Sequence, residues 1–494
     1  MNTNNDFFTI FIFPFKYEMK GNKQLKPDEA AKKLSSGNTD CGKGWAIEYY
    51  SLDRIDNYNE FYYFHPNVQR VLFNKKGNEK KCEKENKGMQ FLKREDFKKL
   101  KVEYYDKDNV IQPIETQVNE IDIHLFDNQI GLLTISTEKL EGDNKTDFPT
   151  FLRYNDITRR AYPPYLGDKN TCSLKFDSKI LPVKITLVNE KDPNKSIPEY
   201  FKPIDLETNK KKDIVSLSKI IKGLLDPFKL KHTHKMDMKK DEFYYTPFID
   251  DRMFIVSYYS DNEVSYKLKH RCCDGYEYER SDDWYRFIFV DGNYANIEND
   301  AMKKDLIRKH TYARWANYGS LFGMSRYSFV LLCSTDAPSY LKQHMKSMYY
   351  QIALIVLFQR AMLLKFAEDI DDLTWYFEVG KLSPELKEDS DKLRGDFIKF
   401  INKYWFIEVT PQEQGIEIYN QWMDLLNLEK LYTEVQREVS ELAEYVENKI
   451  EAETNKRLAI ITYVGLPLAI LGLILMVWQP KPSVTNLFIA CPIG

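Results

Sequence analysis

Residues 458–478 form an uncharged run, LAIITYVGLPLAILGLILMVW, in a chain that is otherwise rich in Lys, Asp and Glu. At about 1.5 Å per residue, a helix of this length spans ~30 Å, the thickness of the hydrocarbon core of a bilayer. Lys456 and Arg457 precede the run and Trp478 ends it, as is typical of a spanning helix with a charged anchor and an interfacial aromatic residue. The sequence therefore predicts a transmembrane helix at 458–478, with the preceding residues on the cytoplasmic side.

Two features of this region leave alternatives open. Small or weakly polar residues recur at every third or fourth position, which suits either close helix packing or the lining of a pore: Thr462, Gly465, Ala469, Gly472 and Met476. Residues 479–494 contain an apolar part that is too short to cross a bilayer, so we interpret them as a short tail or as the start of a second membrane segment.

A heptad pattern lies upstream of the run, in a segment without Pro or Gly from 425 to 457. Its apolar positions are Leu428, Tyr432, Val435, Val439, Leu442 and Val446. The pattern predicts one long helix that leads directly into the transmembrane helix. We interpret it as a stalk through which copies of the chain self-associate. The alternative is a helix that packs on its own domain.

Composition indicates a folded body before the stalk. Charged residues make up 29% of the chain and aromatic residues 14%, which excludes a disordered or multi-span protein. The net charge is only −3, so duplex DNA is not an expected partner. The seven scattered cysteines, without a CxxC pair, indicate a reducing compartment. We predict an α+β cytoplasmic domain with a mixed sheet and helices at 1–372, and a helical region with the long α-helical stalk at 373–457. The C-terminal transmembrane helix follows.

Local patterns predict several elements of the body. Alternating or continuous β-rich runs predict strands at 7–15, 61–65, 250–259 and 284–291. A helix is predicted to include Asn155–Arg160, and the chain reads as helical from Lys303 onward. The apolar run Ile352–Phe358 is stopped by Gln359 and Arg360, so we predict a core helix there and not a second span.

The chemistry-bearing residues point to binding. The sequence contains no P-loop, GxSxG, HExxH or GxGxxG signature, so we do not expect an enzyme. Two stretches, RYNDITRRAYPPY and TYARWANYGSLFGMSRYS, combine arginines, which match phosphate oxygens, with aromatic rings, which stack on nucleobases. The candidate ligand-binding residues are Arg153, Asn155, Arg159, Arg160, Arg314, Trp315, Tyr318 and Arg326. The alternative is structural: Arg–carboxylate pairs that hold helices to the sheet, with aromatic residues in the core.

A cation site is a further candidate. Asp369, Asp371 and Asp372 form an acidic cluster of the kind that holds Mg²⁺ through water. The alternative is a helix end with exposed carboxylates. No pattern in the sequence requires a cofactor.

The terminal span, the long helix before it and the α/β body resemble the CorA family of divalent-cation channels. Six stretches resemble, more specifically, the CorA-like membrane proteins found beside type III CRISPR systems: FDNQIGLLTIST, YNDITRRAYPPYL, DDRMFIVSYY, WYRFIFVD, TYARWANYGSLFGMSRYS and MYYQIALIVLFQRAMLL. The resemblance covers most of the chain from about residue 120 onward. The Gly-Met-Asn filter motif of CorA channels is missing after the span, where the sequence reads WQPKPSVTN.

The resemblance implies a homo-oligomer, pentameric by analogy with CorA, in the inner (cytoplasmic) membrane of a bacterium. It also implies an antiviral effector that responds to a nucleotide second messenger by opening a pore or disrupting the membrane. The expected messenger is the S-adenosylmethionine–AMP conjugate, with cyclic oligoadenylate second. The alternative is a CorA-type transporter of Mg²⁺ or another divalent cation with an altered filter.

Overall fold

The structure is a computed structural model that describes residues 5–20, 25–37, 44–74, 89–106, 108–143, 146–160, 182–201, 218–231, 239–250, 252–272, 275–378 and 384–478. The chain divides into two compact units, residues 1–366 with 398–434 and residues 367–397 with 435–494. The first is a mixed α/β sheet domain, and the second contains most of a long C-terminal helix. The predicted tail at 479–494 lies outside the described residues, and the predicted boundaries after 372 and 457 stay predictions.

The described residues form sixteen strands: β1 (Asp6–Met19), β2 (Ala46–Glu48), β3 (Met89–Arg94), β4 (Lys99–Tyr105), β5 (Ile111–Phe126), β6 (Ile130–Lys139), β7 (Lys184–Val188), β8 (Ile197–Tyr200), β9 (Lys229–Leu230), β10 (Phe243–Pro247), β11 (Phe254–Ser260), β12 (Arg271–Cys272), β13 (Gly275–Tyr276), β14 (Thr311–Tyr312), β15 (Ser320–Met324) and β16 (Ser328–Cys333). Fourteen of them share one mixed sheet with the order β14-β15-β16-β11-β1-β6-β5-β4-β7-β8. Strands β10 and β9 branch from β1, and β3 and β2 branch from β5.

The described α-helices are α1 (Pro27–Ser35), α2 (Ile55–Tyr63), α3 (Pro66–Leu72), α4 (Phe148–Thr158), α5 (Lys219–Leu225), α6 (Asn262–Lys269), α7 (Asp282–Phe289), α8 (Asp300–His310), α9 (Tyr340–Lys346), α10 (Met348–Glu378), α11 (Pro384–Tyr404), α12 (Glu413–Leu425) and α13 (Leu428–Val477). Together with the mixed sheet, they confirm an α/β body followed by a long C-terminal helix.

Strand β1 lies in the middle of the sheet and is covered on both faces. On one face, the Phe11 ring meets Tyr154 of α4 at 5.8 Å between ring centroids. On the other, Phe8 stacks on Tyr258 at 5.6 Å and lies beneath the ammonium of Lys346. The strand predicted at 7–15 is therefore confirmed, and its continuous apolar run reflects burial on two sides.

Two predicted strands are helices. The run at 284–291 belongs to α7, which is capped by the Ser281 hydroxyl and buries Trp284, Phe287 and Ile288 at helical spacing. The run at 61–65 lies at the end of α2 and just after it. Both runs are rich in aromatic residues, which favour strands by propensity. In the structure these residues form helices instead, because the spacing of the buried side chains fits a helix.

The helical pattern predicted after Lys303 also ends early. Helix α8 stops at His310, and the chain then enters β14 and β15. By contrast, Ile352–Phe358 lies within α10 and each of its side chains is at most 2% exposed, which confirms a core helix. The helix that contains Asn155 is confirmed as α4.

Helix α13 carries the heptad positions and the uncharged run without interruption. Four heptad residues are between 1% and 8% exposed within a single chain: Val435, Val439, Leu442 and Val446. They lie in the second unit, where Leu386, Leu393 and Phe397 of α11 are also buried. Leu428 is buried in the first unit, where Tyr432 stacks on Trp405 at 4.7 Å. This is the arrangement expected of a helix packed on its own domain; self-association through these residues stays a prediction.

The uncharged run itself is exposed. The large apolar side chains from Leu458 to Met476 are between 50% and 81% exposed. Within the described part of the chain, two helical segments are long and apolar enough to cross a membrane, Tyr340–Trp375 and Leu428–Met476. The apolar window of the first is mostly buried in the protein, whereas none of the second is.

Trp422 of α12 anchors the helix against the sheet. Its fully buried ring stacks against Phe254 at 5.5 Å and Phe329 at 5.1 Å, and its Nε1 donates to the Ser325 carbonyl at 3.3 Å. Since Ser325 begins the turn between β15 and β16, this contact also fixes that turn.

Replacing Trp422 with Ala is expected to lower the free energy of unfolding by about 3–5 kcal/mol, because a large cavity replaces the ring. Trp375→Ala is the matched control, since this ring is 60% exposed, and it should cost less than about 1 kcal/mol. Urea titration followed by circular dichroism in mild detergent measures both. An equal loss of unfolding free energy in the two variants would contradict the conclusion that Trp422 anchors α12 against the sheet.

A buried polar cluster lies between β5 and the first turn of α10. His124 Nε2 is 3.0 Å from the Tyr350 hydroxyl, while its Nδ1 and the Oδ1 atom of Asp122 have no hydrogen-bond partner among the described residues. Burial lowers the pKa of His124 to about 3 and raises the pKa of Asp122 well above its usual value. Burial thus disfavours the charged form of both residues.

These two shifts act on stability with opposite signs. As pH falls through 6.5, unfolded His124 takes up a proton that the folded form refuses, so stability is lost toward pH 3. Folded Asp122 keeps a proton that the unfolded form has released above pH ~4, so the stability that Asp122 contributes is lost as pH rises.

Replacing Asp122 with Asn removes the effect of Asp122 and leaves that of His124. Between pH 6.5 and 4 the variant should lose up to about 1.4 kcal/mol more per pH unit than the parent. Parallel pH profiles from urea titrations would refute this.

Candidate anion-binding site

Arginines from four parts of the first unit meet at one end of the sheet. Arg159 and Arg160 follow α4, Arg252 precedes β11, Arg326 lies in the turn between β15 and β16, and Arg360 is on α10. Contacts join these segments. Arg160 forms an isolated antiparallel bridge with Arg252, and the Met253 amide donates to the Arg159 carbonyl at 2.7 Å. We call these five residues the arginine cluster.

The local sequence explains how each segment is held. Helix α4 starts at Asp147, whose side chain accepts from the Thr150 amide, and ends with basic residues, which complement the helix dipole. In the β15–β16 turn, the Ser325 hydroxyl donates to the Ile288 carbonyl at 2.8 Å and accepts from the Tyr327 amide at 3.1 Å. Arg326 and Tyr327 are thereby fixed at the tip of a short hairpin.

Tyr327 is the aromatic centre of the cluster. The guanidinium carbon of Arg159 lies 5.3 Å from the ring centroid, and that of Arg252 lies 4.9 Å from it. Both distances fall within the range of cation–π attraction. One ring therefore helps to hold two like charges near each other.

Two carboxylates contact the cluster among the described residues. Asp156 Oδ1 accepts from Arg160 Nη2 at 2.8 Å and lies 3.7 Å from Arg159 Nη2. Asp250 accepts from Arg252 Nε at 3.3 Å. Within the described ranges, these two carboxylates pair with Arg159, Arg160 and Arg252.

Arg159 is the most constrained member. Its side chain is almost fully buried, its Nη2 donates to the Val290 carbonyl at 3.1 Å, and its Nε and Nη1 have no hydrogen-bond partner among the described residues. The Nε of Arg160 is also without one. Burial lowers the pKa of Arg159 to about 10, although Asp156 opposes the shift. Unpartnered buried N–H groups of a cation are costly, and an anion would satisfy them.

Arg326 and Arg360 face a crevice at the open side of the cluster. Within the described ranges, neither makes a hydrogen bond or an ion pair. Burial lowers the pKa of Arg360, and the charge of Arg326 lowers it further. The crevice has about 10 Å³ of free space, room for about one water molecule. Its wall comprises Pro14, Ile249, Asp250, Arg252, Met253, Phe254, Arg326, Tyr327, Leu357 and Arg360.

The structure places three of the predicted ligand-binding residues in this cluster: Arg159, Arg160 and Arg326. Two others on α4 serve to hold the helix. Arg153 donates to the Asn293 side chain and lies over the Tyr104 ring. Asn155 is buried, where it accepts from Thr9 and donates to Ser257.

The remaining predicted residues contact α12 or solvent. Arg314 bonds to Glu417 at 2.8 Å and Glu413 at 3.1 Å, and Trp315 Nε1 donates to Gln414 at 3.1 Å. Tyr318 is 74% exposed. For Arg314, these contacts match the structural alternative of Arg–carboxylate pairs.

Sequence reasoning missed Arg252 and Arg360 as members of the site, whereas Tyr327 lies in the second predicted stretch but is not among the candidate ligand-binding residues. Arg252 stands in the DDR triplet before a buried strand, and charged residues at a strand entrance mark a sheet end. Arg360 interrupts an apolar core helix. Neither signal reveals a partner, because the segments that meet are far apart in the sequence.

Among the described residues, no group of three or more His, Cys, Asp or Glu side chains could hold a metal ion. The predicted Mg²⁺ site at Asp369, Asp371 and Asp372 stays a prediction. Comparison of the chain with protein-family models, curated proteins and solved structures finds no match.

Replacing Arg159 with Met should leave the unliganded protein at least as stable as the parent, since it removes a buried, incompletely paired charge while keeping volume. Arg286→Met is the matched control. Each nitrogen of Arg286 has a partner, in Asp283, Asp291 or Gly292, so this change should cost about 1–3 kcal/mol. Urea titrations in mild detergent compare the two. Equal destabilisation by both substitutions would show that Arg159 serves stability.

Proposed function

We propose that this protein is a membrane-anchored effector gated by a nucleotide second messenger. The observation that carries the proposal is the arginine cluster, where buried nitrogens of Arg159 and Arg160 have no hydrogen-bond partner among the described residues and Arg159 lies beside an aromatic ring. Phosphate oxygens accept from several guanidinium N–H groups at once, and a nucleobase stacks on an aromatic face. Binding would thus supply the acceptors that the cluster lacks.

The resemblance to CorA-like proteins of type III CRISPR systems supplies the biological setting of the proposal. We propose that the messenger is the S-adenosylmethionine–AMP conjugate, with a cyclic oligoadenylate as the second candidate. The effector acts in the cytoplasmic membrane of a bacterium during antiviral defence, and it catalyses no reaction.

The membrane part of the proposal is supported by the exposed apolar run of α13. Side chains from Leu458 to Met476 leave a large apolar surface uncovered by the chain itself. Lipid would cover that surface, with Lys456 and Arg457 at the headgroups. Because the heptad residues are buried within one chain, we propose that copies, five by analogy with CorA, associate along the small-residue face from Thr462 to Met476.

Helix α10 offers a route from the site toward the membrane. It supplies Arg360 to the arginine cluster in the first unit and continues into the second unit, to which Ala367 and the residues after it belong. A ligand opens the membrane part only if it binds the open state more tightly than the closed one. A ligand that contacts Arg360 touches this helix directly, and its affinity can therefore differ between the open and the closed state.

The test uses the full chain reconstituted in vesicles loaded with a fluorescent dye. We expect the S-adenosylmethionine–AMP conjugate to release the dye, free S-adenosylmethionine to have no effect, and Arg159→Met to abolish release. Arg314→Gln is the control, because Arg314 lies outside the cluster, and it should respond like the parent. Divalent-cation flux that needs no nucleotide would instead favour the CorA-type transporter and overturn the proposal.

A further inference from the structure

The open side of the arginine cluster has a geometry of its own. Arg252, Arg326 and Arg360 line the same crevice but come from three different segments: the entrance to β11, the β15–β16 turn and α10. Three arginines from three separate backbone positions thus border one small space. Asp250 is the carboxylate that lines it among the described residues.

The shape of the anion follows from this convergence. A carboxylate presents two acceptor oxygens in one plane and suits a single arginine fork. A tetrahedral phosphate presents oxygens in several directions and suits forks that arrive from different sides. The crevice is therefore better matched to a phosphate group than to a carboxylate.

We propose that Arg326 and Arg360, together with Arg252, form a clamp for one phosphate group of the ligand, and that this phosphate is the contact between ligand and α10. The inference deepens the proposed function and rests on the same site. It assigns the residues different tasks: Arg159 and Arg160 pair with Asp156, whereas the three clamp residues line the crevice and hold the ligand.

The solvent exposure of the clamp arginines indicates which of them moves when the ligand binds. Arg326 is exposed and Arg360 is half-buried, and neither is tied by a hydrogen bond or an ion pair within the described parts of the chain. Free space of about 10 Å³ is too small for a phosphate. We expect the Arg326 side chain, which lies exposed at a hairpin tip, to move on binding so that the phosphate fits.

The experiment measures binding of pyrophosphate, AMP and adenosine to the full chain in mild detergent by calorimetry. Arg326→Gln and Arg360→Gln should each weaken pyrophosphate and AMP binding by about tenfold to a hundredfold, the usual loss for a charge-assisted hydrogen bond. Arg360→Lys should lose less, because it keeps the charge but not the fork. Adenosine, which has no phosphate, should bind weakly and equally to all variants.

Arg314→Gln is the matched control and should stay within about twofold of the parent, since Arg314 pairs with α12. If Arg360→Gln folds poorly, the exposed Arg326→Gln carries the test. Unchanged AMP and pyrophosphate affinity in a folded clamp variant would overturn the clamp, as would failure of the parent to bind any of these phosphate probes or the S-adenosylmethionine–AMP conjugate.

The two proposals fail in different ways. Phosphate binding that depends on Arg360, without dye release from vesicles, would leave the clamp standing and reject the gated membrane effector. Messenger-driven dye release that is unaffected by Arg326→Gln and Arg360→Gln would support the effector and reject the clamp.

Discussion

Strand β1 is buried on both faces, and this burial dictates the architecture around it. A strand without a solvent side must pair along both edges and must be covered by helices above and below. Strands β6 and β11 supply the edges, α4 covers one face, and α9 and α10 lie over the other. Elements from both helical layers consequently end or pass near the same end of the sheet.

The arginine cluster arises where these layers meet. Pro14 of β1 and Leu357 of α10 line the crevice, while Arg159 at the end of α4 reaches the Tyr327 ring that borders it. Nothing in the packing requires charge at this point. Among the described residues, the carboxylates in contact with the cluster pair with Arg159, Arg160 and Arg252, and two nitrogens of the buried Arg159 have no hydrogen-bond partner there. Local rules are broken here, as they are at functional sites, and the cost is offset elsewhere by a large apolar core.

The pattern of apolar residues correctly predicted the elements that are buried on all sides. Strand β1 and the part of helix α10 from Ile352 to Phe358 are buried all round, so their continuous apolar runs were informative. Helix α7 was misread, because its aromatic residues carry strand propensity and its eight residues span little more than two turns. The Ser281 cap was the available signal for a helix start.

The site was predicted in part, and the reason is topological. Arg159, Arg160 and Arg326 were found because arginines and aromatic rings cluster locally in the sequence. Arg314 was grouped with Arg326, but β15 lies between them, and its five extended residues place its two ends about 13 Å apart. Arg360 joins the site through a helix that belongs to the opposite layer. The pairing of β11 with β16 brings together Arg252 and Arg326, which are far apart in the sequence.

The heptad stripe shows a related limit. A spacing of three and four residues specifies that one face of a helix is covered, but not whether the cover is another copy or the same chain. Here Val435 to Val446 are covered within one chain, whereas the run from Leu458 to Met476 is exposed among the described residues. The exposed run offers an assembly in the proposed bilayer a second surface, while association through the heptad positions stays a prediction. Helices α10 and α13 each contribute residues to both compact units.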